Sequence, residues 1–261
     1  MLGRLLSAWR RRREARALRD HAIPGPLWRL TLARYPFLAA RSEADLAELK
    51  RLCSLFLAGK EFHGAAGFEV TDEVALAVAA QACLPVLRLG LAPYAGFVGI
   101  VMHADEVLAR REVMDEDGIV HRYEEQLAGE AMEGGPLMLA WGQVAAGADP
   151  AAGLDSVYNV VIHEFAHVLD MGDGYADGVP PLGGLAERER WLDVIEAEWL
   201  WFCEQVDAGY ATLIDPYGAE SLEEFFAVAA EAFFVAPGEL KLEQPALYRL
   251  LSGYFRQDPA P

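Results

Sequence analysis

From about residue 26 to about Leu89 the apolar positions recur at helical spacing. Ala44, Leu46, Leu49, Leu52, Phe56 and Leu57 form one stripe behind Ser42, whose side chain suits a helix start. Thr71, followed by Asp72 and Glu73, opens a second helix through Val78, Ala82 and Cys83, and Pro85 closes it. The period then shortens. Residues 96–102 form an apolar run of strand length, 136–141 form a second one bounded by glycines, and Asp115-Glu116-Asp117-Gly118 reads as a turn into a short strand over 119–123. Residues 171–184 carry five glycines and two prolines and are expected as loop. Helical spacing returns through Trp191, Ile195, Trp199 and Phe202, then over 221–234 and 246–255. Helices outnumber strands, and the strands cluster before residue 163. The chain therefore reads as α+β, mostly helical with a small mixed sheet.

Charge narrows the partners. With 22 basic and 40 acidic groups the net charge is −18, which repels phosphate backbones and excludes direct nucleic-acid binding. No apolar run reaches the length of a membrane span. Cys53, Cys83 and Cys203 are odd in number and widely spaced, which suits buried thiols in a reducing compartment, and a cytoplasmic location is expected. The first 25 residues depart from the acidic average, with Arg4, Arg10, Arg11, Arg12, Arg13, Arg16 and Arg19 among Leu2, Leu5, Leu6 and Trp9. The apolar stretch is too short for a signal peptide and precedes the basic part. A solvated basic leader ending in a frayed helix is expected, in preference to an amphipathic segment touching anionic lipid or an acidic partner.

The chemistry is concentrated in His163-Glu164-Phe165-Ala166-His167. On a helix the two imidazoles stand one turn apart on one face and converge on a single ion, with the Glu164 carboxylate beside it as a proton acceptor. The apolar residues before and within the motif suit a helix buried in an enzyme core. A catalytic zinc site takes a third protein ligand and keeps one position for water. No histidine follows His167, so that ligand is expected to be a carboxylate from a later helix. Glu224 and Glu231 are seven residues apart and share a helix face, whereas Glu223 points elsewhere. Ser221 and Glu224 also make a capping-box spacing. Spacing alone leaves Glu224 and Glu231 even.

The run His163 to Asp170 followed by Asp173-Gly174-Tyr175-Ala176-Asp177-Gly178-Val179-Pro180, with residues 217–234, resembles the Mlc titration factor A family of bacterial zinc peptidases. Gly129-Glu130-Ala131, Gly134-Gly135-Pro136 and residues 79–85 extend the resemblance, which covers roughly residues 45–258 and leaves out the leader. The catalytic part also resembles the protease domain of anthrax toxin lethal factor, where a tyrosine lies seven residues before a ligand glutamate that two phenylalanines follow. Tyr217 and Glu224-Phe225-Phe226 have that spacing.

The resemblance implies a zincin-like metallopeptidase domain over 26–261, with a helical part over 26–90 and a catalytic part over 91–261. It implies one zinc ion per chain, bound by His163, His167 and Glu224. Glu164 is then the general base for a metal-activated water, and Tyr217 the donor to the oxyanion. Glu231, and after it Asp170, are expected to accept a free imidazole N–H, unless either bonds the glycine loop instead. The strand over 137–141 is expected at the sheet edge along the cleft, where an extended substrate pairs with it. The substrate is a peptide or protein, trimmed at its end as by an aminopeptidase or cut internally. A binding role is the alternative. The family is named for sequestering a transcriptional repressor of sugar uptake, and an acidic surface suits a basic regulator.

Overall fold

A computed structural model describes residues 12–114, 120–131, 135–147 and 157–260. After a helix over 12–20, the N-terminal part is helical, with Gly25–Arg34, Glu43–Gly59 and Asp72–Cys83 as its main helices. The expected caps are in place: the Ser42 side chain accepts the N–H of Asp45, and Thr71 accepts that of Val74. The 12–20 helix meets the next layer through an ion pair between Glu14 and Arg51. Residues 1–11 of the basic leader lie outside the described residues.

Six strands follow in chain order: β1 (Glu61–Gly64), β2 (Gly99–His103), β3 (Val107–Met114), β4 (Val120–Leu127), β5 (Gly129–Ala131) and β6 (Leu137–Ala140). β3 and β4 form an antiparallel pair with Val107 opposite Leu127. The turn expected at 115–118 lies outside the described residues, and the strand expected over 119–123 is longer, as β4. The remaining strands make one mixed sheet in the order β1-β2-β6-β5. β1, β2 and β6 run parallel, whereas β5 is antiparallel to β6, with Glu130 opposite Met138.

This order corrects one expectation. The strand over 137–141 is interior, because β2 pairs with one side of it and β5 with the other. The edge facing the motif helix is β5, three residues long and too short to carry a periodic signal. β1 falls within the stretch read as helical. Three of its four residues are exposed, so no alternation marks it.

Buried aromatics pack the motif helix, Val160–Asp170, against the Glu43–Gly59 helix and the turn Ala92–Gly96. Phe165 is fully buried, its ring centroid 4.9 Å from that of Tyr94 and 5.7 Å from that of Phe56. Its other neighbour is the helix Leu222–Val235, buried from Phe225 to Phe234, whose Phe233 and Phe234 pack on Phe255 of the helix Pro245–Phe255. Among the described residues no helix is long and apolar enough to cross a membrane.

Candidate metal centre and active site

Asn159 sets the start of the motif helix and ties three helices together. Its side-chain oxygen accepts the N–H of Ile162 at 3.0 Å, its amide donates to Gln81 at 2.7 Å, and its backbone N–H donates to Glu231 Oε2. The capping role is readable from an Asn before an apolar helical run. The contacts to Gln81 and Glu231, 78 and 72 residues away, are not.

His163 and His167 stand on one helix face with Nε2 atoms 3.1 Å apart. The Leu222–Val235 helix crosses in front of them. Ser221 caps it by accepting the Glu224 N–H at 3.2 Å, which frees the Glu224 carboxylate to face the imidazoles. Glu224 Oε2 lies 3.1 Å from His163 Nε2 and 3.3 Å from His167 Nε2. Two turns on, Glu231 Oε1 lies 2.8 Å from His163 Nδ1. The two acids left even by their spacing thus meet opposite sides of one ring, and only Glu224 is on the Nε2 side.

The three facing atoms fit a metal ion. Ligand atoms at about 2.0–2.2 Å from a tetrahedral zinc stand roughly 3.3–3.5 Å from one another, close to the triangle seen here. The Glu224 Oε2 atom is sealed from solvent without a well-formed hydrogen bond among the described residues, as expected of a metal-facing donor. These are also the residues whose donor atoms cluster tightly enough to hold a metal ion among those described. Burial alone raises the Glu224 carboxyl, yet the neighbouring His163 and His167 imidazoles outweigh it and hold the pKa at about 2. Burial disfavours charge on His163, but Glu224 and Glu231 overcome it and raise that imidazole well above its ordinary value. The pocket therefore concentrates negative potential where a cation belongs.

Glu164 is 5% exposed and points at β5. Burial raises its pKa, and the N–H of Ala131 donates to its carboxylate. Gly129 is what lets the strand lie so close: a Cβ there would stand 2.4 Å from Glu164 Oε1 and 2.6 Å from its Cγ. Neither backbone contact was foreseen from the sequence, because β5 has no side-chain signature.

Tyr217 sits in the short 3-10 turn Pro216–Ala219, 42% exposed, with its ring centroid 6.3 Å from that of His163. Asp215 accepts the Tyr217 N–H at 2.9 Å, and Trp199 donates to the Gly218 carbonyl at 3.0 Å. A side chain at Gly218 would meet Val228 at 2.6 Å, so glycine lets this turn rest on the Leu222–Val235 helix. Asp170, fully buried, takes the alternative partner. Its Oδ2 accepts the Gly178 N–H at 2.9 Å, fastening the glycine loop, and among the described residues it makes no hydrogen bond to an imidazole. Gly178 has φ +75° and packs on Leu222, where a Cβ would stand 2.5 Å from the carbonyl oxygen.

Comparison with known proteins agrees with this geometry. A profile described as glucose-regulated metallo-peptidase M90 matches residues 6–256. The basic segment, expected to lie outside the resemblance, is therefore largely inside it. An uncharacterized protein of Synechocystis sp. is 40% identical over 237 residues, covering 90% of this chain and 85% of that protein. Mlc titration factor A of Cronobacter sakazakii is 32% identical over 234 residues, covering 89% of this chain and 86% of that one. Mlc titration factor A of Pectobacterium atrosepticum is 32% identical over 231 residues, covering 86% and 83%. By profile and relatives together, the chain belongs to the glucose-regulated metallo-peptidase M90 family.

Proposed function

We propose that this protein hydrolyses peptide bonds with one zinc ion per chain, held by His163, His167 and Glu224. The observation that carries this reading is the triangle of two ring nitrogens and one sealed carboxylate oxygen beside a buried carboxylate on the same helix. Zinc held by three protein ligands supplies Lewis acidity at its open position, polarising a carbonyl and lowering the pKa of water. Glu164 takes the proton of the attacking water and returns it to the leaving amine. The Ala131 N–H steadies the Glu164 carboxylate through this exchange. Glu231 accepts the His163 Nδ1–H and fixes the tautomer that turns Nε2 to the ion. Tyr217 donates its phenol to the oxyanion from its turn above His163. A peptide pairing with the outer edge of β5 lies beside Glu164, where the base is needed. The test is metal analysis with peptide hydrolysis, comparing the parent with Glu164→Gln.

The reading treats residues 26–261 as one domain, supported by a single cluster of buried residues running from Ile23 to Ala260. It places the protein in the cytoplasm, supported by free thiols at Cys53, Cys83 and Cys203. A second reading, titration of a transcriptional regulator, draws on the name of the 32%-identical relatives and on the net charge of −18. It predicts retention of the regulator by the Glu164→Gln protein in a pull-down.

Two further outcomes follow from the site. Gly129→Ala forces β5 and Glu164 apart, so kcat is expected to fall about tenfold through misplacement of the base. KM and zinc content stay near parental values, and unchanged kcat would show that the close approach is dispensable. Asp170 titrates at about 6 instead of its ordinary 3.8, chiefly through burial. Its contribution to stability is fully present below about pH 4 and is lost as pH rises through 6, about 3 kcal/mol for such a shift. Urea unfolding should therefore show Asp170→Asn gaining on the parent by up to about that amount between pH 4 and pH 8. A pH-independent difference between the two proteins contradicts this.

A further inference from the structure

A cavity of about 1020 Å³ opens where the C-terminal end of the motif helix meets β5, the glycine loop and the helices Leu185–Asp207 and Pro245–Phe255. Its size is at the upper end for small-molecule pockets and suits a short peptide segment. The floor is apolar and partly aromatic, built from Phe97, Leu137, Val168, Leu250, Trp191 and Tyr254. Trp191 is locked in place: its indole N–H donates to the Gly178 carbonyl at 2.9 Å, and its ring packs on Tyr254 with centroids 5.5 Å apart.

The rim is basic in an acidic protein. Arg190, Arg249 and Arg256 line the cavity and are exposed, and none of their guanidiniums forms a hydrogen bond or ion pair among the described residues. Arg249 acts only at longer range on Glu198. Several other arginines find carboxylates: Arg188 pairs with Asp177 at 2.7 Å, Arg34 with Glu73 at 3.0 Å and Arg51 with Glu48 at 2.7 Å. With 40 acidic groups against 22 basic ones, carboxylates are in excess, yet three guanidiniums without a carboxylate partner gather at one mouth. The acid on the same rim, Glu187, is engaged by the Gly183 N–H at 2.7 Å. The cavity also adjoins the catalytic groups. Ala131 lines it while its N–H holds Glu164, and Val168 follows His167 directly.

We propose that this cavity binds a segment of the peptide substrate in which an apolar residue is flanked by carboxylates, so that the protein selects acidic peptides. The inference rests on the peptidase reading and adds the substrate class to it. Repulsion from the net charge of −18 opposes such a ligand. At 0.15 M salt, however, it is screened beyond about 8 Å, whereas guanidinium–carboxylate contacts at the mouth act within hydrogen-bond distance. The apolar floor holds the neighbouring side chain.

The test uses the zinc-loaded Glu164→Gln protein, so that binding is read without cleavage. A fluorescein-labelled octapeptide alternating leucine and aspartate, and its counterpart with lysine for aspartate, are titrated by anisotropy in 0.15 M salt. Adding Arg190→Gln and Arg249→Gln together is expected to weaken the aspartate peptide at least about tenfold, without weakening the lysine peptide. Both positions are solvent-exposed, so the fold tolerates the change. Unchanged affinity for the aspartate peptide, or no binding of it before the arginines are altered, overturns the proposal. Hydrolysis of an uncharged peptide by the parent protein is measured alongside. If that hydrolysis is present and the arginine effect absent, this inference fails alone.

Discussion

Glu164→Gln is expected to lower kcat for peptide hydrolysis about a thousandfold while leaving the zinc content unchanged. The substitution is nearly isosteric, and a glutamine oxygen can still accept the Ala131 N–H that holds the carboxylate in the parent. Geometry and burial are thus retained, and what disappears is the ability to take a proton. The pH profile provides a second check. A base works only when ionised, and burial raises the pKa of Glu164. The parental rate should therefore rise with pH through a value above the ordinary carboxylate range, and the variant's residual rate should lack that limb. Substantial turnover by a zinc-loaded Gln protein would assign the base to another residue.

Removing the buried acid behind the proposed ligands should have the other large effect. Glu231 is 1% exposed, meets His163 Nδ1 through one oxygen and accepts the Asn159 N–H with the other. Glu231→Ala strands both partners in a dry site. A loss of about 3–5 kcal/mol in unfolding free energy is expected, as for breaking a buried charged pair. Zinc affinity should fall about 10- to 100-fold, because His163 loses the group that fixes its tautomer. Glu231→Gln keeps a carbonyl oxygen for the His163 N–H and should recover part of both losses. Competition with a chromophoric chelator and urea denaturation measure the two effects. Zinc affinity that survives Glu231→Ala would mean that the tautomer is held by something else.

The helical frame was legible because capping residues and apolar stripes are local signals. Ser42, Thr71 and Ser221 cap the helices expected of them, and the glycine-rich stretch after Asp170 forms a loop after one short turn. The strands were less legible. β1 is exposed and four residues long, and β5 has three residues with a glycine at its start, so neither carries a pattern of period two. Placing 137–141 at the edge failed for that reason, since its neighbour β5 could not be seen.

Within the site, the sequence by itself determined the pair His163 and His167 and the neighbouring Glu164, because helical periodicity places residues four apart on one face. It also narrowed the later acids to Glu224 and Glu231, which share a face seven residues apart. Resemblance favoured Glu224 over Glu231, but which ring atom each acid meets was decided only by the tertiary structure, since it depends on how the Leu222–Val235 helix crosses the motif helix. That crossing gives Glu224 to the Nε2 atoms and Glu231 to Nδ1. The same holds for the Gly129 and Ala131 backbone over Glu164, and for the arginines gathered at one cavity mouth. These contacts join positions distant in the chain, and backbone groups and relative helix orientation leave no periodic trace in the residues that create them.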